Sequence, residues 1–449
     1  MSMNGFIYWM LFVLNIPLIT EILRRFFLYS DVVFVIGDVI AIGTLVWLLT
    51  KPNVALSKHG AFWTSVALFF MWGGISVAFT HQDLILGGIG FRAFLLPLIY
   101  LLISSYFYRY CNNATAYLAY SVTGWILLIF AVAVAQLFVG RDHPLNSLPA
   151  AASGTGIGDF TVESVGLELD YIFRPTSIFL HTGKYGQVIF ALVLFKWSSM
   201  LLGAVRSQLF YLTVPIDLLA VLLSGQRAAF LFLLLCLIAI LTVKLKKSVT
   251  AIVGFVGVVI ATVASSMYFA PIELSELVVV RYLSGFQDVP LRITENLTKP
   301  ASAIIDLYGW MGKGLGFFTF GSDRFGGFQM YEYLNVPGTL ENSWLRIVAE
   351  IGLIGALLYV CVYAYIIAIA LKTTQWRAAF RPRAFIHVGV FATCWLTSTT
   401  LWSITHDVLA NSVGMSVGFA LSGAILVNSW WREAASHSYF SSSRSWDRS

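Results

Sequence analysis

Charge is scarce in this sequence. Asp, Glu, Lys and Arg together make up 11% of its 449 residues, against 58% hydrophobic residues and a mean hydropathy of +0.81. A water-soluble domain of this length needs far more polar surface, so a soluble globular protein is excluded and the chain belongs in a bilayer. Cysteine is sparse too: Cys111, Cys236, Cys361 and Cys394 stand alone in or beside apolar segments. With no C-x-x-C spacing and no neighbouring His, they read as small hydrophobes rather than as disulfide or metal ligands. The seven His are scattered and neither D-x-D nor H-x-x-H occurs, so no metal set is evident and no cofactor is expected. The first 23 residues lack a basic n-region and a small-residue cleavage site, which points to a retained first helix rather than a signal peptide.

What the sequence has in abundance is apolar runs. A span needs about 20 such residues, and twelve candidates lie near 5–22, 31–50, 60–79, 84–105, 115–138, 176–195, 208–224, 228–243, 250–269, 343–371, 384–402 and 408–430. The expected fold is an all-α polytopic membrane protein of about twelve transmembrane helices. The 14 Trp, 20 Tyr and 35 Phe fit that medium and say little about a ligand. A net charge of +6 would raise the question of nucleic acid in a soluble protein. Here most Lys and Arg fall between apolar segments as topology determinants, and no nucleic acid is expected. With the N-terminus inside, every even-numbered connection carries basic residues, including the clusters Lys244, Lys246, Lys247 and Arg381, Arg383.

This topology divides the chain into transmembrane helices 1–5 over 1–138, a first extracytoplasmic loop over 139–175, and helices 6–9 over 176–269. A large extracytoplasmic loop follows over 270–342, then helices 10–12 over 343–430 and a Ser-rich cytoplasmic tail over 431–449, expected to be disordered. The first loop is rich in Gly, Ala, Ser and Pro, as mobile loops are. The second repeats apolar residues at helical spacing (Leu274, Val278, Tyr282; Leu297, Ala301, Ile305), which predicts short helices between the ninth and tenth spans.

Thirteen of the 28 Lys and Arg fall in or beyond the outer half of the membrane, where insertion rules give no reason for them. Arg174 heads the sixth span, Arg227 the eighth, Arg281 and Arg292 lie in the large loop, and Arg92 interrupts the fourth span. An arginine inside an apolar segment costs about 2.5–3.5 kcal/mol on insertion scales, so it ordinarily faces a cavity, a partner or a ligand. The plain alternatives are that Arg174 and Arg227 snorkel to headgroups and that Arg92 pairs with an intramembrane carboxylate, Asp38 or Asp217. As a group they suggest an anion site, because guanidinium offers a rigid fork that grips phosphate oxygens at any relevant pH. A diphosphate on a lipid carrier is the natural candidate, its tail lying among the helices and its head meeting the loops.

The large loop ends in two further signatures. Gly312, Gly314 and Gly316 alternate in Trp310-Met311-Gly312-Lys313-Gly314-Leu315-Gly316, which permits tight backbone approach but lacks the strand and helix of a dinucleotide site. Glu341 and Asn342 then stand where the chain returns into the membrane, followed by Glu350, Gly352 and Gly355. A carboxylate at a helix start is favoured by the helix dipole whatever its function, and Glu350 with its glycines is suited to close helix packing.

In this order the motifs resemble the O-antigen polymerase and ligase family, bacterial membrane glycosyltransferases that act on lipid-linked surface polysaccharides. The resemblance runs from Arg174-Pro175 through Ser224-Gly225-Gln226-Arg227-Ala228, Arg281, Arg292 and Gly312 to Gly316, and ends with Glu341 to Gly355, about residues 170–360. It implies an inner-membrane enzyme with its site on the periplasmic face, acting on a polyprenyl-pyrophosphate-linked glycan among membrane lipids, with a chain-length regulator as a further partner. It also implies that Arg174, Arg227, Arg281 and Arg292 hold the pyrophosphate, that Glu341, Arg227 and Arg281 act in catalysis, and that Arg92, Asn342, Glu350, Gly314 and Gly316 support the site. The family's ligases carry His just before that Asn. Glu341 here is more like the polymerase and exopolysaccharide branches. Ligation of the glycan to lipid A-core is the alternative, and a flippase or other transporter is the rival from a different class, although no internal repeat is found.

Overall fold

The computed structural model describes residues 2–27, 30–50, 59–139, 143–146, 162–163, 172–173, 175–244, 294, 299–319, 342–374, 383–404, 406, 408–409 and 412–427. They are almost wholly helical. Helix α1 (Met3–Ile22) continues into a π-helical turn, Leu23–Phe27, and is followed by α2 (Asp31–Leu49), α3 (Gly60–Phe79), α4 (Leu84–Tyr110) and α5 (Ala114–Val139). A two-residue antiparallel pairing, Val162–Glu163 with Ile172–Phe173, comes next. Then follow α6 (Thr182–Leu201), α7 (Gln208–Leu212), α8 (Val214–Leu223), α9 (Arg227–Lys244), α10 (Lys299–Tyr308), α11 (Ser343–Thr374), α12 (Arg383–Trp402) and α13 (Ser412–Ser422).

Among the described residues five helices are long and apolar enough to cross a membrane: Met3–Phe27, Gly60–Phe79, Leu84–Tyr110, Ala114–Val139 and Ser343–Thr374. With their shorter apolar neighbours they make a membrane-embedded helical protein. Large hydrophobic side chains such as Val35, Val39 and Val46 of α2 and Phe138 of α5 are exposed, as lipid-facing residues are. The ninth expected span, 250–269, and most of both expected loops lie outside the described residues. The sixth helix starts at Thr182 rather than near 176, because the preceding segment is pinned in a non-helical form. Ser177 has φ +54. Its N–H donates to Gln136 Oε1 at 2.7 Å and its hydroxyl to the Ile129 carbonyl at 2.7 Å. The seventh is broken at Thr213 into α7 and α8.

The connections sort into two ends. At one, the turn after α3 meets the loop 309–319, Arg25 Nη2 donates to the Leu145 carbonyl at 3.1 Å, and Tyr185 at the start of α6 donates to the Ala220 carbonyl near the end of α8 at 2.7 Å. At the other, His59 lies 3.4 Å from the Leu426 carbonyl. Three ion pairs match charged groups inside the helical body to one another, as a low dielectric demands. Arg92 of α4 pairs with Asp38 of α2 through both its Nε and Nη2. Lys196 of α6 lies 2.6 Å from both carboxylate oxygens of Asp217 on α8, and both residues are fully buried. Thr213 Oγ1 and Trp197 Nε1 complete that cluster. Glu21 of α1 accepts from Lys184 of α6 at 3.1 Å. The four cysteines are free, and burial pushes up the Cys111 thiol just past the end of α4.

The helix expected from Leu297, Ala301 and Ile305 is α10, with a shifted register. Ala301, Ile304 and Tyr308 turn inward onto Leu345, Ala349 and Phe318, while Ile305 is exposed. The one-residue shift places the small Ala349 of α11 against the face of α10.

Candidate functional site at a folded-back helix

The single tenth span expected over 343–371 is two arms. Gly352 has φ +68 and ψ −178, a conformation essentially restricted to glycine. In one straight helix Trp344 and Tyr363 would stand about 28 Å apart along the axis. Their ring centroids are 6.2 Å apart, and Trp344 and Tyr359 are 6.0 Å apart. The arms 343–351 and 353–374 therefore lie side by side and antiparallel. The second arm, about 33 Å long, is still enough to cross the hydrocarbon by itself.

Breaking a helix inside a membrane strands its last carbonyls, and something else must donate to them. The glycine loop does so: Lys313 N–H donates to the Ala349 carbonyl and Gly314 N–H to the Glu350 carbonyl, both at 2.8 Å. Trp72 Nε1 of α3 donates to the Ile351 carbonyl at 2.9 Å. In return Leu353 N–H, at the start of the second arm, donates to the Gly309 carbonyl at 3.1 Å. Glycines 312, 314 and 316 all have positive φ, and a Cβ on Gly316 would collide with the Leu86 carbonyl of α4. Glu350 is fully buried and its carboxylate accepts from Gly316 N–H at 3.2 Å, Phe318 N–H at 3.0 Å and Thr319 Oγ1 at 2.9 Å. Glu350, Gly314 and Gly316 are thus parts of one strut that holds the hairpin.

The free end of the first arm is its N-terminus. Asn342 is fully buried, and its Oδ1 caps the arm by accepting from Trp344 N–H at 3.0 Å and Leu345 N–H at 3.1 Å. Ser343 N–H donates to the Ser403 carbonyl at 3.0 Å, and its hydroxyl donates to the His406 carbonyl at 3.2 Å and accepts from Leu409 N–H at 3.0 Å. Trp344 Nε1 donates to the Thr400 carbonyl at 3.2 Å. The arm is so fastened to the segment after α12. There the Trp402 ring meets Phe190 of α6 at 6.2 Å, Phe232 of α9 at 6.4 Å and His406 at 6.1 Å. Asn342 consequently stands beside the segment after α12, deeper in the helical body than the hairpin bend.

No protein-family model matches this chain, and no curated protein does. The site stands on its own geometry.

Arg227 heads α9 five residues, about 7–8 Å, before the Phe232 that touches Trp402. Trp402 thus links α9 to the segment that fastens the first arm, and Asn342 caps the positive end of that arm's dipole. Arg346, one turn into that arm, is buried. Arg92 is engaged by Asp38 on the α2 side. Glu341, Arg174, Arg281 and Arg292 lie outside the described residues. Sequence reasoning passed over Arg24, Arg25, Lys184 and His406. The first two carried a usable signal, a basic pair at the C-terminal end of the first span. His406 had none, since only the hydrogen bond to Ser343 brings it beside the Asn342 motif.

Proposed function

We propose that this chain is a membrane glycosyltransferase of the O-antigen polymerase and ligase type. Its preferred reaction is polymerisation of polyprenyl-pyrophosphate-linked oligosaccharide units on the periplasmic face of the bacterial inner membrane. The observation that carries the reading is the buried N-terminus of the first α11 arm: Asn342 caps it, and Ser343 fastens it to the segment after α12, whose Trp402 packs on the helix that Arg227 heads. A buried helix N-terminus, with a guanidinium heading a helix packed on the same tryptophan, suits an anionic leaving group better than a neutral one.

In this reading Arg174, Arg227, Arg281 and Arg292 hold the pyrophosphate, and Glu341 takes the proton of the acceptor sugar hydroxyl. The hydroxyl oxygen bonds to the anomeric carbon as the bond from that carbon to the phosphate oxygen breaks, inverting the centre and releasing polyprenyl pyrophosphate. The arginines neutralise the charge that builds on the leaving group, so the scheme uses no metal. Glu341→Gln is expected to abolish polymer while its abundance in the membrane stays normal; wild-type polymer from that variant removes Glu341 from the chemistry. Arg227→Lys keeps the charge and loses the fork, and its unimpaired turnover would reduce Arg227 to a headgroup contact.

The break at Gly352 favours a second reading. Helices interrupted within the membrane are common at transporter binding sites. Deletion separates the cases: single lipid-linked units accumulating outside indicate a polymerase, full-length polymer on the carrier a ligase, and units trapped on the cytoplasmic face a flippase.

A further inference from the structure

At the C-terminal end of α1 the chain carries Glu21, Arg24 and Arg25, all buried. Glu21 pairs with Lys184, whose Nζ donates to its Oε1 at 3.1 Å, while its Oε2 is buried without a hydrogen-bond partner. Arg25 is 3% exposed, and its Nη2 donates to the Leu145 carbonyl at 3.1 Å. Its Nη1 is enclosed without a hydrogen-bond partner, and no carboxylate of the described residues is paired with it. A guanidinium withdrawn from water with only a neutral carbonyl for company is short of a negative charge.

The surroundings indicate which anion. The Leu145 carbonyl also accepts from Gln136 Nε2 at 3.4 Å, and the Gln136 side chain grips both the N–H and the carbonyl of Ser177, at 2.7 and 3.2 Å. Asn146 Nδ2 closes the group by donating to the Gln136 carbonyl at 2.8 Å. Ser177 follows Arg174 by three residues. Arg25 thus stands on the same neutral, hydrogen-bonded platform that anchors the chain just past Arg174. Leu23 and Phe27, within two residues of Arg25, are exposed apolar side chains, so the enclosed guanidinium lies close to a surface that suits a bilayer-anchored ligand. A forked donor with an unused nitrogen, at the end of a span and beside exposed apolar side chains, suits a pair of phosphate oxygens.

We infer that Arg25 belongs to a phosphate-binding subsite at the C-terminal end of α1. Its ligand is a phosphate or diphosphate group carried on a lipid. That group comes either from an anionic phospholipid or from a polyprenyl-linked substrate, and only the second source rests on the glycosyltransferase reading.

The test uses the full chain, purified and delipidated in neutral detergent, with the thermal unfolding midpoint as readout. Inorganic pyrophosphate is titrated in one arm, and mixed micelles containing phosphatidylglycerol are compared with phosphatidylcholine in the other. The wild-type midpoint is expected to rise with one of the two anions, since a ligand bound only to the native state stabilises it. Arg25→Gln is expected to weaken that response at least tenfold while its ligand-free midpoint stays equal or rises, because an unpaired buried charge has been removed. A merely structural arginine would lower the ligand-free midpoint instead. Arg25→Lys is expected to recover part of the response and keeps the test open if the Gln variant folds poorly. Arg206→Gln, at an exposed position on the opposite side, is expected to respond as wild type. A response to phosphatidylglycerol alone assigns the lipid headgroup, and one to pyrophosphate alone assigns the substrate. A wild type indifferent to both anions, or an Arg25→Gln protein responding like wild type, overturns the inference. If Arg227→Gln abolishes the pyrophosphate response and Arg25→Gln does not, the subsite fails and the glycosyltransferase reading stands. If the reverse holds and Glu341→Gln still makes polymer, the subsite stands and that reading fails.

Discussion

Gly352→Ala is expected to undo the hairpin on which the candidate site depends. At φ +68 and ψ −178 an L-residue is strained by about 1–3 kcal/mol. Its Cβ would also collide with the Trp310 carbonyl, so the loop 309–314 must withdraw. That loop exchanges hydrogen bonds with both arms: Leu353 N–H to the Gly309 carbonyl, and Lys313 and Gly314 N–H to the Ala349 and Glu350 carbonyls. Each contributes about 0.5–1.5 kcal/mol net. Losing two of them on top of the strain gives roughly 2–6 kcal/mol, a large share of a typical stability of about 5–15 kcal/mol. The assay is equilibrium unfolding in mixed micelles with rising denaturing detergent. Gly88→Ala on α4 is the control: its Cβ would meet open space, so it should be neutral or stabilising by up to about 1 kcal/mol. If Gly352→Ala unfolds at the same detergent fraction as Gly88→Ala, the claim that Gly352 sets the bend is wrong.

Three further outcomes follow from the same geometry. Glu350→Gln keeps one acceptor oxygen for Phe318 N–H and Thr319 Oγ1 but sets an amide N–H₂ against Gly316 N–H, and should destabilise by about 1–3 kcal/mol, with any lost activity tracking lost fold; a variant stable as wild type but inactive would move Glu350 into the chemistry. Asp217→Asn strands the Lys196 ammonium and should cost about 3–5 kcal/mol, whereas the double change Lys196→Met, Asp217→Leu should recover most of it; full additivity in that cycle would refute the pairing. His406→Gln leaves the main-chain acceptor of Ser343 in place, so unfolding should be unchanged within about 0.5 kcal/mol, and a large loss of stability would show that the imidazole itself holds the arm.

Much of the architecture was legible before any coordinates, because a bilayer imposes a one-dimensional rule. A segment must be apolar over its whole length and must pair its backbone within itself, so hydropathy alone marks the helices. The five longest apolar helices fall on expected spans. Arg92 and Asp38 show the limit: the sequence announced two charges in apolar runs and left Asp38 and Asp217 as equal partners. Only the packing of α2 on α4, and of α6 on α8, assigned Asp38 to Arg92 and Asp217 to Lys196.

Composition and periodicity by themselves determined the medium, the helical class, and the presence of arginines inside or at the ends of apolar runs. Tertiary structure alone decided that the Glu-x-Gly-x-x-Gly run is a bend. The sign of φ at Gly352 and the donors that take the stranded carbonyls come from a loop more than thirty residues earlier and from Trp72 on α3. Hydropathy is a property of each segment, but a broken helix is tolerated only where distant groups satisfy it, and that complementarity exists only in three dimensions.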